Sequence, residues 1–309
     1  MPYLAPTGQN ALMSTGTSIW VFVLFTVAYL GMVAWLWIWR VNRRRERPPV
    51  SEKLLRGPGE SLRRRLEKLD DYLLLGLAGC AIVPGLLLWG GLIISDHMGA
   101  TAGSTAVFIT ALVLFVLALA GCGWWLMRTI TLRRDCHLGL YGEKAVAEAL
   151  VPLMAVGYHV FHDVPCEYGN ASFDIDHIVI GPSGIYCIET KTRRKGKAIR
   201  GRQEHEIVFD GEQLVYPWGE DTHGLAQTRR QAEWLTQWVY QLIGERLLIT
   251  PVLTFPGWWV SMTTLRDLKV LNPKQLGAII QNNAPPVLTR KQIELVVREL
   301  DVRCRDVEF

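Results

Sequence analysis

Three stretches of this chain carry no charge over roughly the thickness of a lipid bilayer. Residues 19–39 read IWVFVLFTVAYLGMVAWLWIW, residues 72–94 read YLLLGLAGCAIVPGLLLWGGLII, and residues 106–127 read AVFITALVLFVLALAGCGWWLM. A helix needs about 20 apolar residues to cross the hydrocarbon core, so the sequence predicts three transmembrane helices. Half of the 309 residues are hydrophobic, and the excess lies before residue 130. The first stretch is expected to be an uncleaved helix rather than a signal: no basic segment precedes it, it is too long for a signal core, and it ends in tryptophan.

Lysine and arginine placement sets the expected orientation. Residues 1–18 contain neither, and the 95–105 connection, SDHMGATAGST, contains neither. The 40–71 loop carries Arg40, Arg43, Arg44, Arg45, Arg47, Lys53, Arg56, Arg63, Arg64, Arg65 and Lys68, and Arg128, Arg133 and Arg134 follow the third stretch. The expectation is a multi-pass protein of the inner (plasma) membrane. Residues 1–18 would lie outside, 40–71 would form a basic cytoplasmic loop against anionic lipid, and everything after the third helix would lie inside. Trp35, Trp37, Trp39, Trp124 and Trp125 fall at the inner ends, where aromatic rings anchor at headgroups. The spans hold no Asp, Glu, Lys, Arg or His, which argues against a transport pathway. The six cysteines form no C-x-x-C pair, so zinc spacing is absent and free thiols are expected.

From residue 138 the pattern becomes that of a soluble α/β domain, placed at 136–309. Ala145, Val146, Ala149, Leu150 and Leu153 have helical spacing and predict a helix over 140–153. YHVFHDV, FDIDHIVI and IYCIETK read as strands, with Gly181-Pro182-Ser183-Gly184 as the turn between the last two. AIRG and EIVFDGEQLVYP read as further strands, the latter a hairpin at Asp210-Gly211. A helix at LAQTRRQAEWLTQWVYQLIG, a buried strand at RLLITPVLTFP and two closing helices complete an α/β core.

If the 181–184 turn has an even-length loop, Ile180 faces Ile185, Asp176 faces Glu189 and Asp174 faces Lys191. Side chains alternate along a strand, so these charged residues then share one face with Ile178, Ile180, Ile185 and Cys187. Opposed carboxylates repel, which calls for a cation, and hard oxygen ligands suit Mg²⁺ or Mn²⁺. A three-residue loop with a bulge at Gly184 would instead turn Glu189 to the other face. His177 faces away from Asp176 and reads as a packed histidine, and Asp174 reads as a solvated acid. The run Lys191, Arg193, Arg194, Lys195, Lys197, Arg200 and Arg202 has no acid between 190 and 203 and predicts contact with a phosphate backbone. No motif for reading bases accompanies it.

A strand Asp followed by a hairpin and Glu-x-Lys resembles the PD-(D/E)xK nuclease superfamily. GLYGEKAVAEAL and DIDHIVIGPSGIYCIETK are similar to the Gly-x-x-Gly-Glu helix and the Asp-His and Ile-Glu-x-Lys strands of its NERD (nuclease-related domain) branch, over about 136–256. The resemblance implies a restriction-endonuclease-like mixed sheet flanked by helices. It also implies Asp176 and Glu189 as metal ligands with Glu143 assisting, Lys191 as catalytic lysine and Gln227 as a site residue. His223 and Gly224 depart from the family's usual helix start. The resulting expectation is a membrane-anchored, metal-dependent nuclease acting on nucleic acid, DNA ahead of RNA. Arg193, Arg194, Lys195, Lys197, Arg200 and Arg202 would hold the backbone. The alternative is a non-catalytic membrane protein using the same fold to bind nucleic acid or a protein partner.

Overall fold

The computed structural model describes residues 9–44, 52–169, 171–262, 267–281 and 286–307. The chain divides into two compact units, residues 1–49 with 68–132 and residues 50–67 with 133–309. Residues 1–8 and 45–51, and the side chains of Arg40, Arg43 and Arg44, lie outside what is described.

The first unit is helical. Helix α1 runs Gln9–Arg44, and after a two-residue strand β1 (Leu54–Leu55) come α2 (Glu60–His97) and α3 (Ala102–Met154). By length and composition α2 and α3 are each apolar enough to cross a membrane, with 17% and 6% of their apolar windows buried within the protein. Side chains so exposed need an apolar solvent or a partner. The described apolar part of α1, Val23–Trp39, is shorter. Two spanning candidates therefore stand where the sequence predicts three. Within this unit Gly76 and Gly91 let α3 approach α2 closely: a Cβ at either would overlap Trp125 or Ala111.

The predicted separate helices over 106–127 and 140–153 are one element, α3. The intervening RTITLRRDCHLG has no proline and its single glycine comes at its end, so nothing breaks the helix.

The second unit is built on a five-stranded mixed sheet. Its strands are β2 (His159–Tyr168), β3 (Ala171–Gly181), β4 (Gly184–Thr190), β8 (Ile249–Thr254) and β10 (Lys269–Leu271), in the order β10-β8-β4-β3-β2. A second sheet, ordered β7-β6-β5-β9, contains β5 (Glu206–Phe209), β6 (Leu214–Tyr216), β7 (Gly219–Asp221) and β9 (Trp259–Met262). The helices are α4 (His223–Ile243), α5 (Pro273–Ile280) and α6 (Arg290–Cys304), and the short strand β11 (Arg305–Val307) pairs with β1.

The β3–β4 turn is the even-length one. Gly181 pairs Gly184, Ile180 pairs Ile185 and His177 pairs Ile188. Ile178, Ile180, Ile185 and Cys187 fall in one core cluster with Ala232, Leu235 and Val239 of α4 and Val296 and Leu300 of α6. The alternate residues Val179, Tyr186 and Ile188 join Val146 and Leu150 of α3 and Leu276 and Ile280 of α5 on the other face. Helices therefore cover both faces of the main sheet.

The turn itself is fixed from outside. Ser183 Oγ donates to Ile280 O at 2.7 Å, and Val287 N–H donates to Pro182 O at 2.8 Å. Gly181 sits where a Cβ would overlap the Tyr158 ring. Gly181→Ala is expected to destabilise the second unit by about 1–3 kcal/mol, the range for forcing extra volume into a packed site; urea unfolding followed by fluorescence checks it.

AIRG is not a strand: residues 191–199 are irregular, and Ile199 N–H bonds Pro217 O at 2.8 Å. The Asp210-Gly211 hairpin forms as predicted, with Val208 pairing Val215. Asn272 and Thr289 each cap the following helix by accepting from its backbone N–H groups, and the Gln275 and Gln292 side-chain oxygens accept in return from the Asn272 and Thr289 N–H. All six cysteines are unpaired.

Candidate active site

Residues 50–67, expected to be a loop between membrane spans, belong to the second unit. β1 pairs antiparallel with β11, which brings Arg56 in beside it. Its guanidinium bonds Asp306 at 2.8 and 2.6 Å, Asp163 Oδ2 at 3.0 Å and Asp174 Oδ1 at 2.8 Å. Ser61 donates to Asp163 from both its backbone N–H (3.0 Å) and its hydroxyl (2.5 Å). Asp163 has φ 49°, a left-handed conformation an aspartate tolerates better than most residues. The Arg56 hydrogen bond holds the Asp306 carboxyl down at about 2. Arg63 and Arg64 pair with Glu60, and Arg64 also with Asp306. These arginines are thus engaged by protein acids, which the sequence alone did not suggest. Asp174, expected to be a solvated acid, is likewise tied to Arg56.

The two glycines of the Gly-x-x-Gly-Glu helix are close-approach positions. A Cβ on Gly139 would press on Leu62, and one on Gly142 would overlap Thr192, just past β4. Glu143 follows, 7% exposed, with its Oε2 buried and lacking a hydrogen-bond partner. Burial first, then the charges of Asp163, Glu189 and Asp174, push its carboxyl up to about 8.

Continuing the β3–β4 register beyond His177↔Ile188 sets Asp176 across from Glu189. Asp176 Oδ2 accepts from Thr190 N–H at 2.6 Å, next to Glu189. Burial, then the charges of Glu189 and Glu143, hold the Asp176 carboxyl well above the usual carboxylate range. Glu189 is only 3% exposed. Its Oε1 accepts from Lys191 Nζ at 2.6 Å and from Gln227 Nε2 at 2.8 Å, and its Oε2 from Gln231 Nε2 at 2.7 Å. Lys191 Nζ also donates to Gln227 Oε1 at 2.8 Å, closing a three-residue ring of hydrogen bonds. Lys191 N–H in turn bonds Thr254 O at 2.9 Å, so the lysine backbone is fixed at the end of the β4–β8 pairing.

Gln231 is a site residue that the sequence reading missed. It lies one helical turn after Gln227 on α4, and side chains four apart share a face. Its amide is oriented by two acceptors, Glu189 Oε2 and Asp174 O. Its Oε1 is buried without a partner. The helix start, where His223 and Gly224 depart from the family pattern, has no side-chain cap from Thr222; Asp221 Oδ1 accepts from His223 N–H at 2.8 Å. Gly224 is buried against Leu253, which seats the helix close to β8.

His177 is packed, as its register implies. It is fully buried, its Nδ1 lies 2.8 Å from His162 Nδ1, and burial holds its pKa well below the ordinary histidine value. It takes no part in the carboxylate cluster.

The basic run is less free than its sequence suggests. Arg193 pairs with Asp221, Arg194 with Asp135 and Arg202 with Glu220, while Lys195 lies over the Trp258 ring at 5.7 Å. Lys197 and Arg200 are exposed.

A buried helix glutamate, a strand aspartate and a Glu-x-Lys on the neighbouring strand now stand together on a mixed sheet. Residues 138–256 match the family model of the nuclease-related domain, NERD. The match begins on α3, just before Gly139, and ends after β8, so it encloses Glu143, Asp176, Glu189, Lys191, Gln227 and Gln231. The NERD domain implies a nuclease-like α/β fold with mixed sheets. A 55-residue stretch is 44% identical to an uncharacterized protein of Bacillus anthracis; it covers 17% of this chain and 26% of that protein, so the chain spans about a quarter of that relative. No solved structure matches the chain.

Among the described residues no group of three or more His, Cys, Asp or Glu side chains is arranged to hold a metal. Both Glu189 oxygens and Asp176 Oδ2 are already hydrogen-bonded. The donor chemistry nevertheless fits a hard divalent cation: oxygen ligands only, mutual repulsion among Glu143, Asp176 and Glu189, and an unpartnered buried oxygen on Glu143.

Proposed function

We propose that this chain is a membrane-anchored nuclease that hydrolyses phosphodiester bonds in nucleic acid, DNA ahead of RNA, with Mg²⁺ or Mn²⁺. The observation that carries the reading is the meeting of Glu143, Asp176, Glu189 and Lys191 where β3 and the central strand β4 open at the end away from their turn, with Lys191 hydrogen-bonded to Glu189 and Gln227. Asp176 and Glu189, with Glu143, would hold the metal, which when bound supplies charge to polarise a phosphoryl oxygen and acidify water. Gln227 and Gln231 hold the Glu189 carboxylate in one orientation. Lys191 keeps its ammonium at the mouth of the site, placed to donate to a phosphate oxygen or to the attacking water. Lys197 and Arg200, with Arg193, Arg194, Lys195 and Arg202 exchanging weak surface pairs, would hold the backbone beside it.

Anchoring in the inner membrane, through three spans and with the NERD domain in the cytoplasm, is supported by the lysine and arginine asymmetry of the loops, by the apolar lengths of α2 and α3, and for the first span by the uncharged stretch 19–39. One observation favours the second reading, a non-catalytic binding protein: among the described residues the carboxylates are not arranged as a metal-ligand group. The two readings separate when the full chain in detergent is incubated with single- and double-stranded DNA and RNA in Mg²⁺, Mn²⁺ or EDTA. Cleavage in metal and none in EDTA is the expected result. Salt-sensitive binding with no cleavage in any metal would leave the second reading standing.

A further inference from the structure

A groove of about 480 Å³ adjoins the glutamine side of the site, between the outer ends of β2 and β3 and helix α4. Gln227 and Gln231, which orient Glu189, form part of its wall. Three aromatic side chains face it: Tyr168, Phe173 and Trp234. Trp234 is a fixed wall. Its Nε1 donates to Glu167 O at 2.8 Å, its ring stacks on Trp238 at 6.3 Å, and Arg303 lies over it at 5.6 Å. Phe173 meets it edge-on at 5.7 Å. Tyr168, by contrast, is 67% exposed.

Two polar features specify the occupant. Gln231 is 3% exposed and backs the wall, its amide nitrogen held by Glu189 Oε2 and Asp174 O. Arg230 on the same wall is exposed and makes no ion pair among the described residues, which suits a phosphate. Glu233, also on the wall and exposed, is an acceptor for an amino group.

We infer that this groove receives one unpaired nucleobase of the substrate, so that the site takes single-stranded nucleic acid in preference to duplex. The flat aromatic walls supply stacking, the exposed Glu233 carboxylate accepts from an exocyclic amine, and Arg230 meets the flanking phosphate. In a duplex both base faces are stacked and the polar edge is paired, so none of these contacts forms without extrusion of the base. Stacking of this kind is tolerant of base identity, in keeping with the lack of a base-reading motif. The inference rests on the nuclease reading for why a nucleotide should lie here, but its test does not use cleavage.

The test is fluorescence anisotropy of the full chain in detergent, in EDTA, with an end-labelled short DNA strand, its blunt duplex, and the RNA strand of the same sequence. Wild type is expected to bind the single strand at least about tenfold more tightly than the duplex, and Tyr168→Ala to weaken single-strand binding by about tenfold. Arg230→Gln is expected to lower the salt dependence by about one phosphate contact. The RNA arm shows whether the base site discriminates the sugar. Equal affinity for strand and duplex, or single-strand binding unmoved by Tyr168→Ala, overturns the inference. Tyr168-dependent single-strand binding without cleavage in any metal supports the groove and removes the nuclease reading. Metal-dependent cleavage with Tyr168-independent binding does the reverse.

Discussion

Replacing Arg56 by alanine is expected to destabilise the second unit by about 3–5 kcal/mol, the usual effect of removing one partner from a buried ion-paired group. Arg56 is only 10% exposed, and it is bonded at once to Asp163, Asp174 and Asp306. Asp163 is 2% exposed, so without the guanidinium its charge is stranded among Glu143, Asp174 and the apolar sheet. Arg63→Ala is the matched control. Its pairs with Glu60 and Glu67 lie on a helix surface at 47% exposure of the arginine, and losing them is worth less than about 1 kcal/mol. Urea unfolding of the full chain in detergent, read by tryptophan fluorescence, distinguishes the two. An Arg56→Ala midpoint equal to that of Arg63→Ala would show that the segment before α2 is not part of the folded unit. The same contacts mean that cutting the chain at residue 136 deletes β1, Arg56 and Ser61 together, so activity is properly sought in the whole protein.

The second large effect is on catalysis. Glu189→Gln and Lys191→Ala are each expected to lower metal-dependent cleavage by about a thousandfold or more, since loss of a charge worth several kcal/mol in the transition state translates to that factor. Glu189 and Lys191 share one hydrogen bond and both bond Gln227. Groups that act as one unit are strongly non-additive, so the double variant is expected to be little worse than the poorer single one. Single-turnover cleavage rates, with melting curves to show that each variant folds, decide this. Two effects that simply multiply would mean that the residues act separately and that the pairing is incidental.

The hairpin at the centre of the site was legible from the sequence because its information is local. The alternating Ile178, Ile180, Ile185 and Cys187 mark the core face, but Gly181-Pro182-Ser183-Gly184 allows an even loop or a bulged one; the pairing of Gly181 with Gly184, which places Asp176 against Glu189, is read only from the fold. Glu143 was legible only through resemblance, since nothing in its own helix shows that Gly139 and Gly142 are there for close approach. The Arg56 cluster was not legible at all. Its bonds join residues 107, 118 and 250 positions apart in sequence, and an arginine-rich loop between apolar spans reads as a topology signal whichever acids it meets. Gln231 was missed although its spacing from Gln227 was in view, because a helix glutamine carries no signal until a buried carboxylate is set beside it. The pairing of the basic run was hidden for a related reason: Asp135, Glu220 and Asp221 are remote in sequence and reach it only through the fold.

The central claim is that the carboxylates around Glu189 seat a divalent metal. Calorimetric titration of Mn²⁺ into the full chain in detergent, beside the Glu189→Gln variant, tests it most directly. The account predicts saturable binding to the wild type that weakens by at least about tenfold in the variant, a conservative figure given that even groups behind the ligands are worth ten- to a hundredfold in affinity. No saturable binding, or equal binding by both proteins, would contradict it.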